Sequence, residues 1–347
     1  LRRDQHMKNL FDFATREHSQ DAFLRWLFEN YDEPELMDAA GNLLKEFCGI
    51  GADEIEKLAT TAQWCNIDIS VWITLKNGKK AALFIEDKTC SEEHYQLDRY
   101  DAHIRLCENK YDRIYKIFYK TDVVGKEERE RIAKTEDKNK WRIYSIKEIL
   151  PLFEKYTAAG NLILRQYAEH VVGVYRATEN TAMPDKNNTG IDYLKWISFF
   201  EKAVVPRLSE DQGQCEYKVT KAGQYPYVYI SIWKSGYNKV VPTLELRSRD
   251  CLPVGDHSAK RYFNVRFLCY GIPPEDIEQQ QTLIEKIESS GHFETKGMVR
   301  HRNGKERYYP KQIGYLPKTT TVENEEEFFQ KLKEYIGYYL ELMQDWK

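Results

Sequence analysis

Two neighbouring stretches of the chain carry hydrophobic patterns that predict adjacent β-strands. In residues 67–75 every odd position is large and apolar, whereas the even positions begin with Asp68. This period of two places one face of the strand in the core and Asp68 on the other face. Residues 81–85 are continuously apolar, which is typical of a strand covered on both sides, and a Glu-Asp-Lys run follows at 86–88. Charges at the end of a buried strand indicate a candidate site.

The loop between these strands decides which charged side chains share a face. It contains an Asn-Gly pair. With a two-residue loop Asp68 would lie opposite Asp87, and two carboxylates would meet across the ladder. With a three-residue loop and a glycine bulge at Gly78, the numbers of paired residues sum to an even value. Asp68 then shares a face with Glu86 and Lys88. We predict the three-residue loop, because it gathers two carboxylates and an ammonium group instead of opposing like charges.

Two carboxylates and a lysine in this arrangement suit a hard divalent cation such as Mg²⁺. Such cations take oxygen ligands, few of them from protein, and keep positions for substrate phosphates. The cation activates a water and neutralises charge on a phosphate under attack, and the lysine can orient that water. The alternative is a solvent-exposed hairpin end with an incidental salt bridge. The position of Glu86 and Lys88 at the end of an apolar strand favours the functional interpretation.

These residues resemble the PD-(D/E)XK nuclease superfamily over roughly residues 10–150. Its core motif, an Asp on one strand and Glu-x-Lys on the next, matches Asp68, Glu86 and Lys88. Downstream, Gln96 and Tyr100 are similar to the Gln-x-x-x-Tyr element of the exonuclease branch. One departure is an asparagine two residues before the Asp, where the superfamily often has proline.

The resemblance implies a restriction-endonuclease-like mixed sheet of four strands flanked by helices, and metal-dependent cleavage of phosphodiester bonds. It implies that Asp68 and Glu86 bind Mg²⁺ or Mn²⁺, with the carbonyl of Asp87 close enough to add a ligand. Lys88 would position the attacking water. Glu17 lies on a predicted first helix, where the superfamily often places another acidic residue, and would complete the metal shell directly or through water.

Gln96 and Tyr100 are four residues apart in a helix predicted over 92–108, so both project from one face. The resemblance implies that this face contacts the nucleic-acid backbone. The alternative is a solvated glutamine beside a core tyrosine.

The other patterns predict a second domain. Ser145 and Glu148 form a capping-box pattern near the end of the first half. Further helices are predicted over 36–47, 55–62, 148–177, 192–205, 273–289 and 324–346, and strands over 114–120, 141–144, 214–220, 227–234, 240–249 and 261–269. We take 8–177 as the nuclease-like domain, the polar stretch 178–190 as a linker, and 191–347 as an α+β accessory domain with an antiparallel sheet.

Composition limits the class of protein. The chain has 347 residues, of which 41% are hydrophobic, which is enough for two domains. A net charge of −3 argues against non-specific coating of nucleic acid. Seven scattered cysteines without a CxxC pair indicate reduced thiols, and we expect a soluble, cytoplasmic protein with no membrane partner.

The predicted partner is nucleic acid, specifically DNA. A basic hairpin interleaved with aromatic residues suits phosphate contact and base stacking, and its basic side chains are Arg300, Arg302, Lys305 and Arg307. A surface hairpin whose long side chains pack over aromatics is an equal alternative. For the whole chain, two alternatives to the nuclease stay open. One is a catalytically silent nuclease-fold binding or assembly module. The other is a structural partner in a defence system, with homo-oligomerisation through the helix 324–346.

Overall fold

The structure is a computed structural model that describes residues 8–14, 17–89, 91, 93, 95–134, 140–186, 190–211, 215–220, 225–232, 243–255, 258–269, 277–292, 311–315 and 320–344. The chain divides into two compact units, Leu1–Thr178 and Glu179–Lys347. Each unit contains a five-stranded sheet of its own.

The first unit is built on a mixed sheet in the order β1-β2-β3-β4-β5. Its strands are β1 (Ile55–Trp64), β2 (Ile67–Leu75), β3 (Lys80–Lys88), β4 (Arg113–Lys120) and β5 (Arg142–Tyr144). The first three strands pair antiparallel, whereas β3, β4 and β5 pair parallel. The mixed sheet agrees with the prediction, but it has five strands instead of four.

The additional strand is β1, so the helix predicted over 55–62 is wrong. Apolar residues spaced three and four apart, at Ile55, Leu58 and Ala62, imitate one face of a helix. In the structure β1 lies at the edge of the sheet, and only Ile55 and Leu58 of its ten residues are buried. Pairing with β2 along the whole strand overrides the local helical pattern. An exposed edge strand does not need strictly alternating apolar and polar residues.

The hairpin between β2 and β3 has the predicted register. Ile69 pairs with Ile85 and Thr74 with Lys80, so that the numbers of every pair have an even sum. Gly78 has φ of +79°, the left-handed conformation that a glycine bulge requires. The three-residue loop is therefore confirmed.

Helices cover the sheet on both faces. In the first unit they are α1 (Glu17–Glu29), α2 (Met37–Cys48), α3 (Leu97–Arg105), α4 (Lys126–Ala133), α5 (Ile146–Phe153) and α6 (Leu162–Thr178). The capping box is confirmed, because the backbone N–H of Ser145 donates to Glu148 Oε2 at 2.9 Å. The single helix predicted over 148–177 is interrupted. Asn161 caps the start of α6, because its Oδ1 accepts hydrogen bonds from two backbone N–H groups of the first turn, each at 3.1 Å.

The second unit is α+β with an antiparallel sheet, as predicted. Its main sheet has the order β11-β10-β8-β7-β6 and all of its pairings are antiparallel. The strands are β6 (Glu216–Thr220), β7 (Tyr227–Ser231), β8 (Thr243–Arg247), β9 (Arg261–Tyr262), β10 (Val265–Cys269), β11 (Lys311–Tyr315) and β12 (Thr321–Val322), and the helices are α7 (Ile191–Phe199), α8 (Val205–Asp211), α9 (Ile277–Ser290) and α10 (Glu325–Leu342). Among the described helices, none has the length and apolar character needed to cross a membrane.

Candidate active site

Asp68, Glu86 and Lys88 come together at the adjoining ends of β2 and β3. Lys88 Nζ lies 2.6 Å from Glu86 Oε1 and 3.8 Å from Asp68 Oδ2. The same ammonium group donates to the carbonyl oxygen of Asp87 at 3.0 Å. Three oxygen atoms that the sequence predicts as cation ligands therefore surround one positive charge, which is supplied by the lysine itself.

Both carboxylate oxygens of Asp68 are held by hydrogen-bond donors. The backbone N–H of Asp87 donates to Oδ2 at 2.9 Å, and Gln63 Nε2 donates to Oδ1 at 2.9 Å. Gln63 lies near the end of β1 and has φ of +53°. Sequence reasoning missed this residue, because it treated the preceding segment as a helix that leads into the hairpin.

Glu86 is a buried carboxyl with one free oxygen. The residue is 1% exposed, and its Oε2 has no hydrogen-bond partner among the described residues. Burial, followed by the charge of Asp68, raises the pKa of Glu86 to about 8, and Lys88 only partly opposes this rise. Burial would lower the pKa of Lys88, but the charges of Glu86 and Asp68 outweigh it and raise that pKa. The two groups are coupled: the lysine stays charged, and the buried Glu86 carboxyl binds a proton more readily than an exposed glutamate does.

The side chain of Asp87 points to the other face of the sheet, against α1. Gln20 Nε2 donates to Asp87 Oδ1. Burial, and then the charge of Asp21, raise the pKa of Asp87 well above its ordinary value. Burial, and then Asp68, raise the pKa of Asp21 to about 6. Asp21 Oδ1 and Asp87 Oδ2 have no other partner in the described part of the chain, which indicates a proton shared between the two carboxyls.

The spacing of acidic residues on α1 points to Asp21, which was not among the site residues predicted from the sequence. Asp21 follows Glu17 by four residues on α1, so the two lie on one face of that helix. Glu17 itself is brought to the end of β3. Its Oε1 accepts from Ser91 Oγ at 2.6 Å and from the Thr89 N–H at 3.5 Å, and its charge contributes to the raised pKa of Lys88.

The structure places Tyr100 near the carboxylates. Burial, and then the charges of Glu86 and Asp68, raise the pKa of Tyr100 to about 12. Gln96 is the residue before the first turn of α3, which begins at Leu97 and not at position 92 as predicted. The predicted start at position 92 was wrong because the described residues just before Leu97 are not helical and instead supply a cap for the helix.

That cap is Glu93, whose Oε1 accepts from the backbone N–H of Gln96 at 2.6 Å and of Leu97 at 3.4 Å. The predicted nucleic-acid contacts Arg300, Arg302, Lys305 and Arg307, and the hairpin around 303–304, lie outside the described residues.

The donor set fits a hard divalent cation that takes few protein ligands. Within the described residues, no group of three or more His, Cys, Asp or Glu side chains is arranged to hold a metal ion. Here only Asp68 and Glu86 are carboxylates, and the third oxygen is the Asp87 carbonyl. Mg²⁺ accepts such a set because it retains several waters. The Oε2 of Glu86, which has no hydrogen-bond partner among the described residues, is available as a metal ligand.

Comparisons with models of protein families, with curated proteins and with solved structures found no match to this chain.

Proposed function

We propose that this chain is a metal-dependent nuclease of the PD-(D/E)XK type, with a restriction-endonuclease-like first domain that hydrolyses phosphodiester bonds of DNA. The observation that carries the proposal is the convergence of Asp68, Glu86 and the Asp87 carbonyl on the Lys88 ammonium group. A surface salt bridge does not account for a glutamate that is 1% exposed and has an unpaired buried oxygen among the described residues. Burial of such groups is costly, and active sites are where that cost is commonly found.

The residues of the site have separate roles in the proposed reaction. Asp68, Glu86 and the carbonyl of Asp87 would hold Mg²⁺ or Mn²⁺, and Glu17 would add an outer ligand through water. The divalent cation supplies positive charge beside the phosphate and lowers the pKa of a nearby water. Lys88, released from Glu86, would orient the attacking water and stabilise charge on the phosphate oxygens.

Hydrolysis then needs a held backbone and a proton for the leaving group. As the water oxygen bonds to phosphorus, that water gives up a proton to a neighbouring solvent water. The bond to the leaving sugar oxygen breaks, and that oxygen takes up a proton from solvent, so that the protons balance. Gln96 and Tyr100 would fix the phosphate backbone beside the carboxylates, which agrees with the influence of Glu86 and Asp68 on the pKa of Tyr100. A backbone held in this way reacts faster because its orientation is set before attack.

The test is cleavage of supercoiled plasmid, linear duplex and single-stranded DNA with Mg²⁺, Mn²⁺ or EDTA. The wild type should cleave only with a divalent cation, and Lys88→Ala should lose cleavage while keeping its fold. Lys79→Ala is the matched control, because Lys79 is an exposed lysine at the turn of the same hairpin. It should cleave like the wild type.

Each outcome separates the nuclease from a binding module. Metal-dependent cleavage that Lys88→Ala removes and Lys79→Ala keeps supports the enzyme. Equal cleavage by Lys88→Ala excludes Lys88 from the mechanism. If folded wild type cleaves no substrate with either metal, the proposal fails in favour of a silent binding module.

A further inference from the structure

Tyr95 is an exposed aromatic residue in an uncommon backbone conformation. Its side chain is exposed, with 71% of the residue accessible, and its φ is +58°. Glycine or asparagine adopts this left-handed region at low cost, whereas a tyrosine is uncommon there. The ring gains little burial in return. Strain of this kind concentrates at functional sites, where the surrounding structure enforces it.

Glu93, two residues before Tyr95, holds the first residues after it by hydrogen bonds. Glu93 is 2% exposed and its carboxylate caps α3 through the backbone N–H groups of Gln96 and Leu97. The backbone N–H of Glu93 donates to Glu128 Oε1 at 2.9 Å. The chain bends at Tyr95, and its ring is exposed.

The ring of Tyr95 forms one wall of a pocket between α3 and α4. The pocket has a volume of about 340 Å³, and it is lined by Tyr95, Asp98, Glu127, Glu130, Arg131 and Lys134. The Arg131 guanidinium lies 5.8 Å from the centre of the Tyr95 ring, and Arg131 also pairs with Glu93 at 3.6 Å. This volume lies within the range of small-ligand sites.

The lining selects a flat, neutral ligand that donates hydrogen bonds. Three carboxylates against two cationic side chains disfavour a phosphate group in the pocket. Arg131 already occupies a cation position at the ring, so a second cation is disfavoured as well. An aromatic ring beside a guanidinium plane is the arrangement on which unpaired bases stack, and carboxylates accept from exocyclic amino groups.

We propose that this pocket binds an unpaired nucleobase with an exocyclic amino group, stacked on Tyr95 and donating to the carboxylates of Asp98, Glu127 or Glu130. The identity of the ligand as nucleic acid rests on the proposed function. The pocket lies at the same edge of the sheet as the site, because β3 and β4 run parallel with Lys88 beside Lys120, and Lys120 pairs with Glu128 of α4. The substrate of the nuclease is then a single-stranded segment or a frayed end.

The test is binding of labelled single-stranded oligo(dC) and oligo(dT) of equal length to the full chain in EDTA, followed by fluorescence anisotropy. Tyr95→Ala should weaken oligo(dC) binding at least about fivefold, the loss expected for one stacked base, and Tyr95→Phe should bind within about twofold of the wild type. Tyr95→Gly removes the ring and relaxes the backbone, so it should match Tyr95→Ala. Phe13→Ala is the control, because Phe13 is an equally exposed aromatic, at 69%.

The outcomes distinguish this inference from the proposed function, since EDTA removes cleavage from the measurement. Loss of binding in Tyr95→Ala and Tyr95→Gly alone, with oligo(dC) preferred to oligo(dT), supports the pocket even if the wild type never cleaves DNA. Equal binding by Tyr95→Ala and Tyr95→Phe overturns it even if metal-dependent cleavage is found. Equal affinity for oligo(dC) and oligo(dT) also overturns it, because thymine lacks the amino group.

Discussion

The backbone N–H of Asp87 donates to Oδ2 of Asp68 at 2.9 Å, so that β3 fixes the carboxylate contributed by β2. The carbonyl of Asp87 accepts from Lys88 at 3.0 Å, and its side chain accepts from Gln20 on α1. One residue thus connects the hairpin, the lysine and the first helix. The geometry of the site depends on the register of the hairpin, which is set by the loop at Gly78.

Gln63 should tune cation affinity without touching the cation. Its Nε2 holds Asp68 Oδ1 at 2.9 Å, and Gln63→Ala would leave that oxygen without this donor. Loss of such a supporting hydrogen bond weakens metal affinity or activity by about tenfold. We expect a rise of that size in the Mg²⁺ concentration for half-maximal cleavage. Lys57→Ala, an exposed residue on the same strand, should behave like the wild type, and an equal shift in both variants would assign the effect to β1 as a whole.

The stability of the metal-free protein should fall as the pH rises through about 8. The pKa of Glu86 is raised from 4.5 to about 8, so between these values the folded state binds a proton that the unfolded state has lost. The contribution is complete below the unfolded pKa and disappears as the pH passes the folded pKa. Urea unfolding between about pH 7 and 8.5 should show a loss of about 1 kcal/mol per pH unit.

The variant Glu86→Gln tests whether Glu86 causes this fall in the free energy of unfolding with pH. It should reduce the pH dependence without removing it, because Asp87, whose pKa is also raised, acts with the same sign. Burial lowers the pKa of His170, so its contribution has the opposite sign and fades as the pH rises above the unfolded value of 6.5. Mg²⁺ should stabilise the wild type more at the upper end of this range. An unchanged slope in Glu86→Gln would place the titrating group elsewhere.

The sequence predicted the hairpin and its charges because both depend on local rules. Alternation in β2, the apolar run in β3 and a loop with Gly78 determine the parity, and the parity alone places Asp68 with Glu86. No packing information is needed for these features. The strand 114–120 and the Ser145 capping box were predicted for the same reason.

The features that were missed depend on contacts distant in sequence. β1 carries a helical spacing, and only its pairing with β2 makes it a strand. Gln20 and Asp21 reach Asp87 because α1 packs on β3. Gln20 and Asp87 are 67 residues apart in the sequence. An amphipathic pattern tells which face of a helix is buried but not which strand it meets. Burial of the β4 lysines was likewise not predictable from alternation.

The buried ion pair of Lys120 on β4 should contribute to the stability of the first unit. Its Nζ lies 2.8 Å from Glu128 Oε2, and the side chains are 1% and 4% exposed. Lys120→Met should lower the free energy of unfolding by about 3 kcal/mol, because it leaves a buried carboxylate without its charge partner. The double variant Lys120→Met/Glu128→Gln, which keeps an oxygen for the Glu93 N–H but removes the unpaired charge, should be more stable than that single variant, as urea midpoints would show. Simple addition of two separate losses would contradict a coupled pair.

Removing Lys88 should tighten Mg²⁺ binding although it removes cleavage. In the structure the ammonium group occupies the centre of the oxygen set, 2.6 Å from Glu86 and 3.8 Å from Asp68, so a cation must displace it. Lys88→Ala removes this competing charge, and we expect affinity to rise at least about tenfold, or about 1.4 kcal/mol. Lys88 also lowers the pKa of Glu86, so its loss strengthens proton competition at that carboxyl.

Titration calorimetry should therefore be done over about pH 7.5 to 9. The pKa of Glu86 is near 8 with Lys88 present and higher without it, so proton competition in Lys88→Ala fades only toward the upper end of this range. Lys79→Ala should bind Mg²⁺ like the wild type, and Glu86→Gln should bind it more weakly because a ligand charge is gone. Equal or weaker binding by folded Lys88→Ala would mean that the ammonium group does not stand in the cation position. The three oxygens would then form a structural cluster around a buried lysine. Competition between Lys88 and Mg²⁺ for the same oxygens is the condition under which Lys88→Ala both raises Mg²⁺ affinity and abolishes cleavage.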